Sequence, residues 1–547
     1  MDRSDYIKKI ENKTNNWDII IIGGGATGLG IAMDASKRGF RVLLLEQADF
    51  AKGTSSRSTK LVHGGVRYLA QGNIGLVLEA LHERGLLIKN APHVVHNLSF
   101  IIPCYKWGQK SFYAIGLKLY DVLSGRLGLG KSISISKKET LQSLPTLKKN
   151  KLRGGVVYHD GQFDDARLAI NIAQTVEENK GLVLNYIKVT DLLKNEEGKI
   201  SGVIAKDRET DKSYNLYAKS VINATGVFVD EILKLDNPHQ KDLVIPSQGI
   251  HLVFNKTFLE SEKAIMIPKT QDGRVLFVVP WHGKALMGTT DTPIKSLSSE
   301  PIALNEEIEF ILNTAGDYLT LPPTRNDVLS VFVGLRPLAA PEKDTDATKE
   351  ISRGHKIIVA DSGLITITGG KWTTFRKMAE DAVNRAIKIA GLPYVKCTTK
   401  SLRIHGYRKR ENEEPDIFQI YGSDEAAIRE LIRKNPTLAE PLFPQNYFIK
   451  AQVVWAVREE MARTIEDVLA RRLRVLFLDA KMAIDMAPMV AEIMADELNK
   501  NKEWQKNQLH EFVNLANNYL LKPYFPLWNK TNNNHNSDNY EEIYSGI

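Results

Sequence analysis

Residues 17–28 read WDIIIIGGGATG, a short run of apolar residues that passes directly into a glycine-rich turn. The apolar run is typical of a buried parallel strand. A helical pattern follows the glycines as far as Lys37, and FRVLLLE at 40–46 then predicts a second strand that closes on Glu46. The stretch is therefore a predicted strand–helix–strand unit whose turn, GGGATG at 23–28, matches GxGxxG.

Each glycine of this turn has a physical role in binding a dinucleotide. Gly23 makes the tight turn, Gly25 lets the backbone approach a pyrophosphate, and Gly28 lets the helix pack against the strand. The helix N-terminus offers free N–H groups to the phosphates. Glu46 stands where an acidic residue binds the adenosine ribose. NAD and FAD both contain this adenosine diphosphate half, so the motif alone leaves both open.

The segment after Glu46 favours FAD. Residues 53–70, GTSSRSTKLVHGGVRYLA, are polar and punctuated by glycine, where an NAD domain would continue with another helix and strand. Their hydroxyl and backbone N–H groups suit an extended cofactor. Clusters of Ser, Thr and Gly are usually surface loops, but this one ends in a stretch too apolar for a free loop.

Three stretches together carry a resemblance to a known family: TSSRSTKLVHGGVRYL at 54–69, VINATGVFVD at 221–230 and ITGGKWTTFR at 367–376. They resemble the FAD-dependent glycerol-3-phosphate dehydrogenases, over roughly residues 15–520. The resemblance implies an α/β fold of the glutathione-reductase and D-amino-acid-oxidase type. A discontinuous Rossmann-like FAD-binding domain would be joined to an antiparallel-sheet substrate domain and an all-α C-terminal domain.

The domain boundaries follow from turn signals and periodicity. Residues 264–292 carry turns between β-rich runs, 447–475 have apolar residues at helical spacing with charges between them, and the C-terminus is polar and Asn-rich. The predicted units are the FAD-binding domain at 15–90, 150–245 and 355–390, a substrate and membrane-facing domain at 91–149 and 246–354, a helical domain at 396–525 and a disordered tail at 526–547.

The resemblance implies FAD as cofactor and no metal. The backbone near 224–226 ends a predicted strand, where open α/β sheets bind ligands, and the turn at 369–371 precedes a helix start that could stabilise negative charge on a reduced flavin. The residues assigned to FAD are Gly23, Gly25, Ala26, Thr27, Gly28, Glu46, Gln47, Thr54, Ser55, Ser58, Lys60, Leu61, His63, Gly64, Gly65, Val189, Ala224, Thr225, Gly226, Gly370, Lys371, Trp372 and Thr373.

The same resemblance assigns the chemistry. His251 is expected to take the hydroxyl proton of glycerol 3-phosphate while hydride passes to the flavin, giving dihydroxyacetone phosphate, and an ordinary imidazole pKa near 6.5 suits that role. Arg336 and Lys371 are also assigned to catalysis. A phosphate dianion needs fixed cations. The expected substrate-binding residues are Arg67, Tyr68, Arg336, Arg353, Lys371 and Thr373.

A basic, aromatic segment at 105–138 predicts the electron acceptor and the location. It holds seven Lys or Arg residues, one acid and interleaved aromatic side chains, which favours an anionic membrane surface and a quinone over a solvated helix face. The N-terminus resembles neither a signal nor a transit peptide, and no apolar run suggests a bilayer span. A peripheral protein on the cytoplasmic side of a bacterial-type cell membrane is therefore expected, and the family resemblance implies a homodimer.

Composition limits the alternatives. The chain has 547 residues, a formal net charge of +8 and two cysteines in no metal or redox pattern. A glycerol-3-phosphate oxidase that produces hydrogen peroxide, a flavoenzyme acting on an amine or hydroxy acid, and a basic nucleotide- or nucleic-acid-binding protein remain as competing hypotheses. No nucleic-acid partner is predicted, because no recognition module is visible.

Overall fold

The computed structural model describes residues 1–12, 16–70, 72–270, 273–339, 354–409, 417–444, 446–526 and 528, and the side chains of Arg67, Ala70 and Ala339 lie outside that description. Of the expected site and tail, Arg353 and all of 526–547 except 526 and 528 lie outside the described residues. The strands are β1 (Trp17–Ile22), β2 (Val42–Leu45), β3 (Leu61–Val62), β4 (Val95–Cys104), β5 (Ile133–Ile135), β6 (Gly154–Phe163), β7 (Leu182–Leu184), β8 (Ile187–Lys194), β9 (Ile200–Asp207), β10 (Ser213–Asn223), β11 (Val244–Asn255), β12 (Ala264–Ile267), β13 (Leu276–Trp281), β14 (Lys284–Gly288), β15 (Thr292–Pro293), β16 (Ser330–Ala339), β17 (His355–Val359) and β18 (Ile365–Gly369).

The α-helices occupy the sequence between these strands and most of the C-terminal part. They are α1 (Arg3–Glu11), α2 (Ala26–Lys37), α3 (Val66–Ala70), α4 (Ile74–Asn90), α5 (Gln109–Ser124), α6 (Lys137–Ser143), α7 (Asp165–Glu178), α8 (Val229–Asp236), α9 (Asn305–Tyr318), α10 (Phe375–Ile389), α11 (Glu425–Lys434), α12 (Lys450–Glu459), α13 (Val475–Leu478), α14 (Ala480–Leu498) and α15 (Lys502–Asn517). A π-helix, Asp467–Arg472, precedes α13. Among the described residues, none of these helices combines the length and apolar character needed to cross a membrane.

The first sheet is built around β1. Within the described residues it has eight strands, in the order β17-β18-β10-β1-β2-β7, with β9 and β8 continuing from β10. β1 pairs parallel with both β10 and β2, and every residue of β1 except Asp18 is buried. Burial on both faces explains its nearly continuous apolar sequence. The predicted α/β fold and its strand–helix–strand start are confirmed.

The second sheet contains ten strands of the described chain, ordered β15-β11-β14-β13-β12-β4-β6-β3, with β16 on β11 and β5 on β6. Its pairs are antiparallel except β12 with β4. The predicted range 150–245 placed β6 with the first domain, but β6 pairs with β4 and β5 in the second sheet. The pairing partner, rather than position in the chain, decides where this strand belongs. β3 also pairs with β6, so the segment before it crosses from one sheet to the other.

The C-terminal helices pack against the second sheet. Phe477 of α13 lies edge-on to Phe332 of β16, with ring centres 5.1 Å apart, and the two belong to one buried cluster with α12, α14 and α15. The helical C-terminal part is confirmed, and among the described residues after 396 its α-helices lie between Glu425 and Asn517. These helices therefore share a core with the substrate-side sheet.

Buried ion pairs fix the C-terminal helices to the first domain. The carboxylate of Asp49, in the loop after β2, accepts hydrogen bonds from Arg471 Nε at 2.5 Å and from Arg472 Nη2 at 3.0 Å. Burial opposes ionisation of Asp49, but the two guanidinium groups hold its pKa below the usual range. The π-helix that carries both arginines is thereby fixed to the loop that follows β2 in the first sheet.

Replacement of Asp49 by alanine should destabilise the protein strongly. It would leave Arg471 and Arg472, both buried, without one of their charge partners, and removing one member of a buried ion pair costs about 3–5 kcal/mol. Thermal unfolding of Asp49→Ala should begin many degrees below wild type. Asp242→Ala, at a carboxylate that is 62% exposed in its pair with Lys234, is the control and should change little. Equal midpoints for the two variants would contradict a structural role for this ion pair.

Candidate functional site

A cavity of about 710 Å³ is lined by residues of both sheets. Gly23 and Thr225 stand at the C-terminal ends of β1 and β10, and His251 and Arg336 come from β11 and β16. The volume is in the range of cofactor and ligand sites. Its position, at the carboxyl ends of parallel strands, is where open α/β sheets bind ligands.

The glycine turn closes one end of the cavity. Gly23 has φ +108°, and a Cβ built on it would lie 2.7 Å from the Ala224 carbonyl oxygen. A Cβ on Gly28 would lie 1.9 Å from the Gly23 carbonyl oxygen. A larger residue at position 23 would collide with the backbone that follows β10, and one at position 28 would push α2 away from the glycine turn. α2 begins directly after Gly25, so its N-terminal N–H groups lie at the cavity, as a pyrophosphate requires.

Glu46 lies at the cavity edge immediately after β2. Its carboxylate accepts hydrogen bonds from the backbone N–H of Gly24 at 2.6 Å and of Ala48 at 2.8 Å. Burial raises its pKa. These two bonds orient the carboxylate beside the glycine turn, where the sequence predicts contact with a ribose.

Ser55 connects the glycine turn to the turn at 369–371. Its hydroxyl accepts a hydrogen bond from the Ala26 N–H at 2.9 Å, and its carbonyl accepts one from Trp372 Nε1, also at 2.9 Å. A third contact joins the same regions further along, because the His63 N–H donates to Thr373 Oγ1 at 3.3 Å. The polar segment after Glu46 therefore runs along the cavity instead of forming a surface loop.

Most of the predicted site residues meet in this cavity. Those that line it are Gly23, Gly25, Ala26, Thr27, Glu46, Gln47, Thr54, Ser55, Ser58, Leu61, His63, Tyr68, Val189, Ala224, Thr225, Gly226, His251, Arg336, Gly370, Lys371, Trp372 and Thr373. The backbone of Arg67 lies in α3, but its side chain is outside the description, as is all of Arg353.

Lys60, predicted to bind the cofactor, does not line the cavity. Its ammonium donates to the Ser56 carbonyl at 2.6 Å and to both oxygens of Asp165 at 2.8 and 2.9 Å. It also lies 4.7 Å from the centre of the Trp281 ring and 5.2 Å from that of Phe332. The side chain of Lys60 is directed away from the cavity because it pairs with the buried carboxylate of Asp165. Its backbone has φ +64°.

Three predicted cofactor glycines, Gly28, Gly64 and Gly65, also lie outside the lining. The Gly64 N–H donates to the Tyr120 hydroxyl at 2.8 Å, and a Cβ there would lie 2.3 Å from Leu81. Gly65 has φ +76°, and a Cβ on it would lie 2.3 Å from the Tyr68 ring. These glycines shape the backbone around the site because neighbouring side chains leave no room for a Cβ.

His251 lies on the cavity-facing side of β11. Its ring stacks on Phe332 with centres 4.9 Å apart, and its Nε2 is 2.9 Å from Thr59 Oγ1. Burial first, then the charges of Lys60 and Arg336, lower its pKa well below 6.5. The sequence suggested an imidazole of ordinary basicity, but in the structure burial and the two cations make the neutral ring a weaker proton acceptor than a free imidazole.

Arg336 lies beside His251 on the same face of the second sheet. A Cβ on Gly249 would lie 2.2 Å from Arg336 Nη2, so the guanidinium crosses the strand where β11 has no side chain. Arg336 donates to the Thr290 carbonyl at 2.9 Å and to Asp291 Oδ1 at 3.2 Å. These contacts hold a positive charge next to the imidazole.

Lys371 supplies a second cation from the first-sheet side of the cavity. Its ammonium lies 3.9 Å from the centre of the Tyr68 ring, which fixes Tyr68 and Lys371 relative to each other. Thr59 and Gly249, which the sequence predictions did not assign, line the cavity as well. Thr59 falls inside the quoted stretch 54–69, between two predicted residues, and the strand pattern around His251 places Gly249 on its face. Those were the available signals.

Comparison with protein-family models divides the chain into two parts. Residues 18–376 match the model described as FAD dependent oxidoreductase. Residues 366–506 match the model described as the C-terminal domain of alpha-glycerophosphate oxidase. The second match begins within β18, shortly before Lys371, and includes the buried arginines Arg471, Arg472 and Arg474.

The similarity to named proteins covers almost the whole chain. The mitochondrial glycerol-3-phosphate dehydrogenase of Schizosaccharomyces pombe is 37% identical over 95% of this chain and 89% of its own length. The mitochondrial glycerol-3-phosphate dehydrogenase SDP6 of Arabidopsis thaliana is 40% identical over 90% and 85%. The crystal structure of glycerol-3-phosphate dehydrogenase from Bacillus halodurans complexed with FAD matches with a TM-score of 0.74 and 29% identity, over 96% of this chain and 99% of that one.

The expected location is corrected by these relatives. The Schizosaccharomyces and Arabidopsis proteins are both named mitochondrial, so the prediction of a bacterial-type protein on the cytoplasmic side of the cell membrane is wrong. The expected cofactor is confirmed, and the glycine turn and the cavity suit FAD. The chain belongs to the FAD-dependent oxidoreductases and, within them, to the glycerol-3-phosphate dehydrogenases.

Proposed function

We propose that the protein oxidises sn-glycerol 3-phosphate to dihydroxyacetone phosphate and passes the electrons to a quinone at a mitochondrial membrane. One observation carries the proposal: a dinucleotide-binding turn and the group of His251, Arg336 and Lys371 line one cavity. Bound FAD supplies the acceptor for the hydride that leaves C2 of the substrate. The names of the relatives support the substrate and the mitochondrial location. A homodimer stays a prediction.

The cavity offers FAD contacts for the pyrophosphate and the ribose of its adenosine diphosphate half. The N-terminus of α2 would hold the pyrophosphate, and Glu46 would bind the ribose hydroxyls. Towards the second sheet, Trp372 and the turn at 369–371 line the space next to His251. The ring system of the cofactor would lie in that space, close to the residues assigned to the substrate.

Arg336 and Lys371 would bind the phosphate of the substrate. Arg336 is held by the Thr290 carbonyl and by Asp291, so its fork is fixed before any ligand arrives. Lys371 adds a compact charge from the other side. Arg67 and Arg353 remain predicted contributors whose side chains lie outside the described part of the chain.

His251 would take the proton of the C2 hydroxyl. The buried imidazole is neutral at pH 7, because burial and two nearby cations lower its pKa. A bound phosphate dianion would offset those cations and make the imidazole a stronger base when the substrate is present. Substrate binding and proton acceptance would therefore be linked by charge.

An exposed apolar face on α5 supports the membrane and quinone part of the proposal. Phe112, Ile115 and Val122 are 69%, 72% and 75% exposed, and their spacing places them along one face of the helix. Trp107, just before the helix, is 85% exposed. Lys residues at 106, 110 and 118 provide positive charge for anionic headgroups.

Oxygen is the second candidate acceptor. The match of 366–506 to a domain described from alpha-glycerophosphate oxidase favours it. Anaerobically reduced protein mixed with a short-chain quinone or with oxygen distinguishes the two acceptors. Fast reoxidation by the quinone and slow formation of hydrogen peroxide support the quinone-linked enzyme, and the reverse result supports the oxidase.

Anaerobic glycerol 3-phosphate should bleach the oxidised flavin bands of the purified protein, and glycerol should not, because it lacks the phosphate. Lys371→Met should raise the Kd for glycerol 3-phosphate about tenfold or more, since a charged hydrogen bond is worth about 1.5–3 kcal/mol. Lys388→Met, at an exposed position on α10, is the control. Oxidised bands that persist in wild type with excess substrate would refute the proposed activity.

The pH dependence should reflect the lowered pKa of His251. The imidazole is neutral above its pKa, which lies well below 6.5, so His251 should add no acid limb near pH 6.5 to the one that the second ionisation of the substrate phosphate, at about pH 6, gives to kcat/KM. The loss of activity due to the imidazolium should appear only at lower pH, through the lowered pKa of His251. The charged groups that face the ring are Lys60 and Arg336. An acid limb near pH 6.5, assigned to His251 by its loss in His251→Gln, would contradict this prediction.

Polar substitutions on the apolar face of α5 should weaken membrane binding. Burial of one such side chain is worth about 1.5–3 kcal/mol, so Phe112→Ser with Val122→Ser should reduce the partition into vesicles with anionic lipid at least about tenfold. Ile302→Ser is the control, because Ile302 is 61% exposed but lies elsewhere. Sedimentation with vesicles measures the effect. Equal binding by both variants would exclude α5 as the contact.

A further inference from the structure

The two ring nitrogens of His251 have different surroundings. Nε2 lies 2.9 Å from Thr59 Oγ1. Nδ1 is buried and has no hydrogen-bond partner among the described residues. The residue as a whole is only 3% exposed. Nε2 is therefore the nitrogen with a polar route towards the cavity, and that route begins at the hydroxyl of Thr59.

The ring of His251 is confined to one orientation. Phe332 stacks on one face of the ring, with an angle of 18° between the planes. On the edge that carries Cδ2, a Cβ on Gly288 would lie only 2.3 Å away, so the neighbouring strand β14 packs closely against it. A ring held in this way keeps Nε2 directed at the same neighbour.

Thr59 is held as firmly as the ring it faces. The residues on either side of it, Ser58 and Lys60, both bond to the carboxylate of Asp165, at 2.7 Å from Ser58 Oγ and 2.8 Å from Lys60 Nζ. A backbone fixed on both sides, together with a β-branched side chain of few rotamers, leaves the hydroxyl little freedom. Unlike His251, Thr59 is only partly buried, and it lines the cavity.

We propose that Thr59 relays the proton of the substrate hydroxyl to His251. This inference rests on the proposed function. The C2 hydroxyl of the substrate gives its proton to Thr59 Oγ1 while the hydroxyl proton of Thr59 moves to His251 Nε2. Bound FAD would supply the two-electron oxidant that takes the hydride of C2, and the C2–O bond would become a carbonyl. Thr59 ends unchanged, and His251 ends as an imidazolium.

Hydroxyl-free and hydroxyl-bearing variants of Thr59 test the relay. In stopped-flow reduction by glycerol 3-phosphate, Thr59→Val should lower the limiting rate constant of flavin reduction about a hundredfold or more, with little change in the Kd, since proton transfer by a positioned group contributes about 10²–10⁴-fold. Thr59→Ser keeps the hydroxyl and should remain within about tenfold of wild type. Thr190→Val, at an exposed position on β8, controls for the loss of a hydroxyl elsewhere. A Thr59→Val rate within about threefold of wild type would overturn the relay.

A spectroscopic measurement on the wild-type holoenzyme tests the same idea without turnover. The relay requires Nε2 to accept a hydrogen bond from Thr59, so the neutral ring must carry its proton on Nδ1, the buried nitrogen that has no partner among the described residues, and this tautomer carries the cost of an unsatisfied N–H. Nitrogen-15 NMR of histidine-labelled protein, assigned by the signals lost in His251→Gln, reports which nitrogen is protonated. An unprotonated Nε2 at neutral pH is expected. A protonated Nε2 would overturn the relay, because that atom could not receive the proton, and this holds even if Thr59→Val does not fold.

The two levels of the proposal fail separately. Wild-type flavin that glycerol 3-phosphate does not reduce would refute the proposed function, whatever the state of His251. Wild-type flavin that is reduced, together with an equally fast Thr59→Val variant, would refute only the relay.

Discussion

The buried ion pair of Lys60 and Asp165 is the contact on which the site most depends. Burial lowers the pKa of Lys60 and raises that of Asp165, so the charge on each depends on the other. Asp165 begins α7, which shares the core of the first sheet, while the rings of Trp281 and Phe332 that surround the ammonium belong to the second. The pair therefore fixes the segment that crosses between the sheets, and this segment carries the hydroxyl groups that line the cavity.

A second set of buried charges relates the C-terminal helices to that frame. Arg474 Nε lies 2.8 Å from Asp164, one residue before Asp165, and Arg167 of α7 pairs with Glu460. Lys52, which is half-buried, bridges Glu466 and Glu300 at 2.5 and 2.9 Å and adds a more accessible pair to this set. Buried pairs of this kind add little net stability compared with apolar packing, but a broken pair is costly. These pairs favour one position of the C-terminal helices against the two sheets. They also reach the cavity, because Arg57 bonds Glu300 and lines the cavity.

The sequence predicted well what is decided locally. The turn at 23–28, the strands around it and Glu46 follow from spacing, because sterics and the strand–helix geometry leave few alternatives. The sequence did not predict which distant strands pair. β6 belongs to the second sheet because it is hydrogen-bonded to β4, and the residues of β6 alone do not indicate that pairing. In the sequence, Arg471 and Arg472 resemble exposed charges between apolar helical positions. Both are buried in the structure, because they pair with the carboxylate of Asp49. That partner lies more than 400 positions away in the sequence, so the pairing could not be predicted. Lys60 was placed at the cofactor for the same reason: its partner Asp165 cannot be recognised from sequence.

The charges that would bind the substrate also limit the base, and this conflict explains the arrangement around His251. Arg336 lowers the pKa of His251 from its place across Gly249, and Lys60 does so from the buried side. Alone, such an imidazole is a poor base. A phosphate dianion bound at Arg336 would offset the charge of that guanidinium and leave the ring buried, so the proton affinity of the imidazole would rise when the substrate is in place. Water competes poorly for Nε2, because the hydroxyl of Thr59 lies beside that nitrogen and the His251 side chain is almost fully buried. The low dielectric around His251 lowers its pKa in the empty site, and it also strengthens the effect of a bound dianion on that pKa.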